Sequence, residues 1–134
     1  MRRVLLVLLV SLLAFGAAGT AFAVTRIGTD GPDRLAGTRG ADRLEGRGGD
    51  DFIAGNGGRD RLLGGAGSDT LLGGGGGDRI AAGRGRDVVA GGAGNDVISA
   101  RGGGADRISC GPGSDRVTAD ARDGVSGDCE SVDR

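Results

Sequence analysis

Aspartate is the residue whose type and spacing could do chemistry in this sequence, because it returns at a fixed interval. Successive members of the series lie nine residues apart, except for one step of ten: Asp33, Asp42, Asp51, Asp60, Asp69, Asp78, Asp87, Asp96, Asp106 and Asp115. Carboxylate oxygens are preferred ligands of hard divalent cations. The series therefore predicts a row of cation sites, provided that the fold brings the aspartates together.

Two further positions keep the same phase as the aspartates. An aliphatic residue stands two positions after each one: Leu35, Leu44, Ile53, Leu62, Leu71, Ile80, Val89, Ile98, Ile108 and Val117. Glycine stands two positions before each one, from Gly31 to Gly113. Each unit therefore predicts a three-residue strand with its middle side chain directed inward, followed by a glycine-rich turn.

A repeat of nine residues with this much glycine excludes a long helix, since each glycine in a helix interior costs about 1 kcal/mol. One unit buries almost nothing, whereas stacked units share a continuous core. Two units make a coil of 18 residues, and coils stack at the strand spacing of about 4.8 Å. The predicted fold is all-β, a parallel β-roll or β-solenoid. The aspartates alternate between its two sides.

Stacked aspartates would repel one another, so the columns need a cationic partner. The chain has no lysine, and arginine does not follow every aspartate, because Phe52, Thr70, Val88 and Val97 take that position in other units. Calcium suits the sites best, because it accepts six to eight oxygens from carboxylates and backbone carbonyls. Magnesium retains its water, and zinc prefers nitrogen or sulfur.

The pattern G-G-x-G-x-D-x-U-x, in which U is aliphatic, resembles the RTX calcium-binding nonapeptide repeat. The segments GGAGS, GGGGG and GGAGN before Asp69, Asp78 and Asp96 match it fully, whereas Ala82 and Cys110 replace its first glycine. The resemblance implies a parallel β-roll that holds several calcium ions between turns two repeats apart. The ligands would be turn carbonyls and the ten aspartates. The best sites would join Asp51 with Asp69, Asp69 with Asp87, Asp60 with Asp78 and Asp78 with Asp96.

Both ends of the chain carry export features. Residues 1–23 have a positive start, an apolar stretch and a small-x-small site, which together indicate a cleaved signal peptide and a secreted, extracellular protein. The alternative is a retained membrane anchor.

In an exported chain the two cysteines, Cys110 and Cys129, indicate a disulfide rather than two free thiols. Residues 24–118 form the predicted roll, and residues 119–134 form a C-terminal cap tied to it by the disulfide. The segment that carries both cysteines resembles the terminal cap of secreted actinobacterial-type RTX repeat proteins.

The composition also bears on function. Without histidine, the commonest general base is missing, so we do not expect an enzyme. A net negative charge and few aromatic residues disfavour nucleic acid as a partner, and no membrane contact is expected after signal cleavage. We expect calcium binding coupled to folding.

A second function also fits the sequence. The chain would be a cell-envelope adhesion or structural module. It would bind an envelope polymer through an outward-facing row of arginines, the ladder of Arg43, Arg61 and Arg79. That ladder could equally be a solvated face. The glycine-rich repeat could also belong to a disordered linker or to a calcium-free solenoid.

Overall fold

The computed structural model describes residues 22–134, so the predicted signal segment, residues 1–23, lies almost wholly outside the described residues. Over the described range the chain forms strands and no helix. The strands are Thr25–Ile27 (β1), Arg34–Ala36 (β2), Arg43–Arg47 (β3), Phe52–Ala54 (β4), Arg61–Ala66 (β5), Thr70–Leu72 (β6), Arg79–Arg84 (β7), Val88–Ala90 (β8), Val97–Ser99 (β9), Arg107–Ser109 (β10), Arg116–Thr118 (β11), Gly124–Val125 (β12) and Ser131–Asp133 (β13). Within residues 22–134, none of the structure has the length and hydropathy of a membrane-spanning helix.

Alternate strands belong to different sheets. The odd-numbered strands form a seven-stranded sheet and the even-numbered strands a six-stranded sheet, each in the order of the chain. All neighbours are parallel, and the register joins residues one coil apart, as in Leu44 with Leu62 and Ile53 with Leu71. The predicted β-solenoid with 18 residues per coil is confirmed.

The core lies between the two sheets and consists of two rows of aliphatic side chains, one row from each sheet. From β2 to β11, the middle residue of each three-residue strand is buried and its neighbours are more exposed, as in β2 and β10. All ten predicted inward positions are at most 4% exposed: Leu35, Leu44, Ile53, Leu62, Leu71, Ile80, Val89, Ile98, Ile108 and Val117. With one such residue per unit, each coil depends on its neighbours for burial.

The extra residue near Gly103 leaves the register intact. Strand β10 pairs with β8 through Arg107 and Val88, which lie nineteen positions apart instead of eighteen, and the added residue stays in the turn. Gly102 and Gly103 both have positive φ there, at 83° and 103°, a conformation that glycine adopts without strain.

The sheets continue beyond residue 118, where the sequence predicts that the roll ends. Strand β12 pairs with β10, and β13 pairs with β11, so the predicted cap adds one further coil. The predicted disulfide is present: Cys110 and Cys129 are joined, with their Cα atoms 5.2 Å apart. It ties the last coil to the turn after β10.

Candidate metal sites

The predicted aspartates form two columns, one beside each sheet. The residues before the even strands are Asp33, Asp51, Asp69, Asp87 and Asp106, and those before the odd strands are Asp42, Asp60, Asp78, Asp96 and Asp115. Except at the ends of the columns, each backbone N–H donates to the Oδ1 atom of the next aspartate in its column. The N···O distance is 2.8 Å from Asp60 to Asp78 and from Asp69 to Asp87. The stacking of coils therefore places each carboxylate beside the backbone of the preceding aspartate in its column.

Nine of these ten aspartates are buried, although the side chain of aspartate is ordinarily charged at neutral pH, and Asp33 is half-buried. Asp69, Asp78 and Asp96 are each 1% exposed, and Asp87 is fully buried. A buried carboxylate must have each oxygen satisfied, or the fold loses free energy. The backbone N–H satisfies Oδ1, so the state of Oδ2 decides whether the site is complete.

The Oδ2 atoms are the unsatisfied part of the site. Among the described residues, eight buried Oδ2 atoms have no hydrogen-bond partner; they belong to Asp51, Asp60, Asp69, Asp78, Asp87, Asp96, Asp106 and Asp115. Each of these buried acceptors needs a cation or a proton beside it. No arginine in residues 22–134 forms a salt bridge with any of the eight.

Five of these Oδ2 atoms face a backbone carbonyl oxygen of the next coil across a glycine; they belong to Asp51, Asp60, Asp69, Asp78 and Asp96. At Gly91 an added Cβ would lie 2.6 Å from Asp96 Oδ2 and 2.9 Å from the carbonyl oxygen of Cys110. At Gly73 it would meet Asp78 Oδ2 at 2.6 Å and also the carbonyl oxygen of Gly91. The two oxygens therefore converge on the space that the missing side chain leaves.

This donor set fits calcium. It consists of carboxylate and carbonyl oxygens, which are the ligands of hard cations, and the turns offer them in flexible number. Zinc would need nitrogen or sulfur, and the described chain offers neither at the columns. A cluster of Cys110, Asp128 and Cys129 lies elsewhere, but its two sulfur atoms are engaged in the disulfide.

Burial raises the pKa values of the column carboxyls. Loss of hydration is the main cause, partly offset by the backbone N–H, and it brings the pKa of Asp78 and Asp87 to about 7. The same cause raises the pKa of Asp51, Asp60 and Asp96 to about 6. Neighbouring carboxylates raise these values further, so the columns resist ionisation unless a cation neutralises them.

Asp33 and Asp42, which begin the columns, have a different environment. The backbone N–H of Thr29 donates to Asp33 Oδ2 at 2.6 Å, and the Thr29 hydroxyl lies within 3.2 Å of both carboxylate oxygens. Thr38 contacts Asp42 through its backbone N–H and hydroxyl in the same way. Threonine therefore completes these two carboxylates, unlike the eight that follow.

The columns end on two acids that lie outside the predicted series of ten aspartates. Asp123 Oδ1 accepts the N–H of Asp106, and its Oδ2 accepts the N–H of Asp120. Glu130 accepts the N–H of Asp115 at 2.8 Å. An aliphatic residue, Val125 or Val132, still follows each acid by two positions, but the glycine two positions before it is gone.

The sequence model of the RTX calcium-binding nonapeptide repeat matches residues 27–62, 55–89 and 63–98, which together span more than half of the chain. The matched residues contain strands β2 to β8, the first two residues of β9 and most of the carboxylates with an unsatisfied Oδ2. Neither a curated protein nor a solved structure matches the chain. The repeat, the parallel solenoid and the matching sequence model agree, and the chain belongs to the RTX calcium-binding nonapeptide repeat family.

Proposed function

We propose that this chain is a secreted protein whose β-roll folds when calcium binds to its two aspartate columns. Membership of a calcium-binding repeat family supports the choice of ion. The ten predicted aspartates lie in the columns, and the eight with an unsatisfied Oδ2 are the ligands that we assign most directly. Turn carbonyls such as that of Gly91 supply further oxygens.

The eight buried Oδ2 atoms without partners carry the proposal. Calcium would supply the positive charge that these carboxylates need in order to ionise inside the protein. The aspartates would orient it, because the N–H of the preceding coil fixes Oδ1 and leaves Oδ2 free. The thin aliphatic core gives little else to offset the conformational entropy of so many glycines.

Coupling to folding follows from where the ligands come from. Asp78 and the carbonyl group of Gly91 belong to successive coils, so they come together only when the chain folds. A ligand that binds only the folded state stabilises it by mass action. Extracellular calcium modules typically bind in the range of about 0.1–1 mM, which suits an exported protein. The signal-like residues 1–23 support export, and we assign no catalytic role.

Calorimetric titration of three chains with calcium tests the assignment. The first is the wild type, and the second carries Asp69→Asn, Asp78→Asn and Asp87→Asn. A matched control, Asp30→Asn, Glu45→Gln and Asp133→Asn, removes the same charge away from the columns. We expect the column variant to bind fewer ions and the control to match the wild type.

Equal calcium uptake by the column variant and the wild type would contradict the assignment of the column aspartates. Equal losses in both variants would also contradict it, because binding would then depend on total charge. Magnesium at the same concentration serves as the ion control, and we expect little heat from it.

A further inference from the structure

The outer faces of the two sheets differ in charge. On the odd sheet the first outward position of successive strands holds Arg43, Arg61, Arg79, Val97 and Arg116, aligned by the strand register. The corresponding positions at the centre of the even sheet hold Phe52, Thr70 and Val88. Arginine is therefore concentrated on one face instead of being spread evenly over the roll.

Three of these arginines have no acidic partner in the described part of the chain. Arg43 forms a salt bridge with Glu45 at 3.5 Å, whereas Arg61, Arg79 and Arg116 form none with residues 22–134. Arg61 and Arg79 belong to adjacent strands, so their backbones lie about 4.8 Å apart. Like charges on neighbouring side chains repel each other, and an anion between them would relieve the repulsion.

These side chains line a groove along the odd sheet. One cavity of about 480 Å³ lies at the strand starts and includes Arg59, Arg61 and Arg79. A second cavity, of about 420 Å³, adjoins it, shares Arg61, Arg79 and Val97, and extends to Arg116. We call this surface the arginine groove. It runs across the strands, parallel to the axis of the solenoid.

The floor of the arginine groove between the charges is apolar. It contains Leu63, Ala81 and Val97, and Val97 is 48% exposed. Alternating cationic and apolar contacts fit a sugar chain, whose C–H faces carry anionic substituents. Single-stranded nucleic acid binds by stacking on aromatic side chains. Neither phenylalanine of the described residues, Phe22 or Phe52, lines this groove.

Calcium would change the charge around the arginine groove. Asp60 and Asp78 lie at its edge and are the acids that line it, and both belong to the odd aspartate column. Apart from Arg2 and Arg3, the chain has fifteen arginines against 18 acids, a net charge of −3. Each calcium ion adds two positive charges, so the second ion already makes the roll net positive.

We propose that the arginine groove binds an acidic polysaccharide lying along the solenoid axis, and that calcium loading strengthens this binding. Arginine forms paired hydrogen bonds with sulfate or carboxylate groups, which gives the contact orientation as well as charge. Binding of the polysaccharide by the groove requires only that the roll is folded. The strengthening of this binding by calcium rests on the proposed function, so an experiment can contradict either part without the other.

Binding to dextran sulfate, with neutral dextran as the uncharged control, tests the groove. The full exported chain is measured in about 5 mM calcium and at about 0.15 M salt. The groove variant carries Arg61→Gln, Arg79→Gln and Arg116→Gln. The control variant carries Arg34→Gln, Arg86→Gln and Arg107→Gln, which removes the same charge from the even sheet and its turns. Circular dichroism first establishes that both variants fold in calcium.

We expect dextran sulfate, but not dextran, to bind, with affinity at least about tenfold weaker in the groove variant and within about twofold of wild type in the control. Equal weakening in both variants, or no binding by the folded wild type, would overturn the proposal. Binding of oligodeoxythymidine as tight as that of dextran sulfate would overturn the choice of a polysaccharide. If the chain folds and binds dextran sulfate equally well with chelator, the groove stands and its calcium dependence fails.

Discussion

At the scale of single residues, the chemistry of this protein lies in the second oxygen of each column aspartate. Oδ1 is committed to the backbone of the preceding coil, as in the 2.8 Å bond from the Asp60 N–H to Asp78 Oδ1. Oδ2 is buried without a partner in residues 22–134. The same side chain therefore builds the fold and destabilises it when no cation is bound.

Asp78→Asn separates these two roles. The amide oxygen still accepts the Asp60 N–H, while the buried charge is removed and an NH₂ group faces the carbonyl oxygen of Gly91. We expect the variant at pH 8 without calcium to gain stability on the order of 1 kcal/mol, and to respond less to calcium. The folded fraction, measured by circular dichroism in chelator and during a calcium titration, shows both changes. Asp30→Asn is the exposed control, and a response of Asp78→Asn to calcium equal to that of the wild type would contradict this assignment of roles.

The raised pKa values fix the direction of the pH dependence. Burial raises the pKa of Asp78 and Asp87 from an ordinary value of 3.8 to about 7. Between these two pH values the folded chain therefore holds more protons than the unfolded chain. Without calcium, stability is therefore greatest at low pH and falls as pH rises from about 4 to about 7. With calcium, ions replace protons, so apparent calcium affinity rises over this interval. The folded fraction, followed by circular dichroism across this range in chelator and in calcium, tests both slopes, and parallel slopes under the two conditions would contradict the assignment.

At the scale of elements, the turn decides whether a coil can hold an ion. Glycine at the first turn position leaves space beside Oδ2 and the next carbonyl oxygen, as Gly91 does. Ala82 and Ala100 carry a methyl group at the same position, and Cys110 carries a larger side chain. The sites at Asp87, Asp106 and Asp115 therefore have less space than those around Asp60 and Asp78.

Gly91→Ala tests the importance of this space. Its φ is not in the left-handed region, so the backbone accepts alanine, but the methyl group would lie 2.6 Å from Asp96 Oδ2. We expect a loss of about 1–3 kcal/mol in calcium, together with weaker calcium binding. Gly75→Ala is the matched control, because its nearest atom, the carbonyl oxygen of Asn56, is 4.0 Å away. Equal effects in the two variants would show that backbone entropy, and not space for oxygen ligands, is what matters.

The periodic part of the fold could be predicted from the sequence, because each position in the repeat has one physical role. Asp69, Leu71 and the glycines before them define a strand, a turn and a column. The ends could not be predicted in this way. Nothing in the repeat pattern marks Thr29, and only the structure shows its hydroxyl group beside the carboxylate of Asp33. Asp123 and Glu130 continue the columns after the glycine signal has been lost.

At the scale of the whole molecule, the roll is a one-dimensional stack in which each coil contacts its neighbours. The stability of such a stack is a sum of coil terms and interface terms, so its ends are its weakest points. The N-terminal end is covered by strand β1, where Arg26 takes the place of the inward aliphatic residue and pairs with Leu44. The disulfide between Cys110 and Cys129 holds the other end.

Replacing both cysteines with alanine should therefore act locally. The chain-entropy model gives a loss of about 3 kcal/mol for a loop of this size. Hydrogen exchange in calcium should show faster exchange in β12 and β13, whereas β5 and β7 stay protected. Uniform loss of protection along the roll would contradict the one-dimensional description, and the wild type treated with reductant provides the control for the substitutions.

Circular dichroism of residues 24–134 during a calcium titration tests the central claim most directly. We expect a disordered spectrum in chelator that changes to a β spectrum at about 0.1–1 mM calcium. Added chelator should restore the disordered spectrum, and magnesium should not produce the β spectrum. A β spectrum with the same thermal midpoint in chelator and in calcium would contradict the claim. The roll would then be a metal-free solenoid whose buried carboxylates are neutralised in another way.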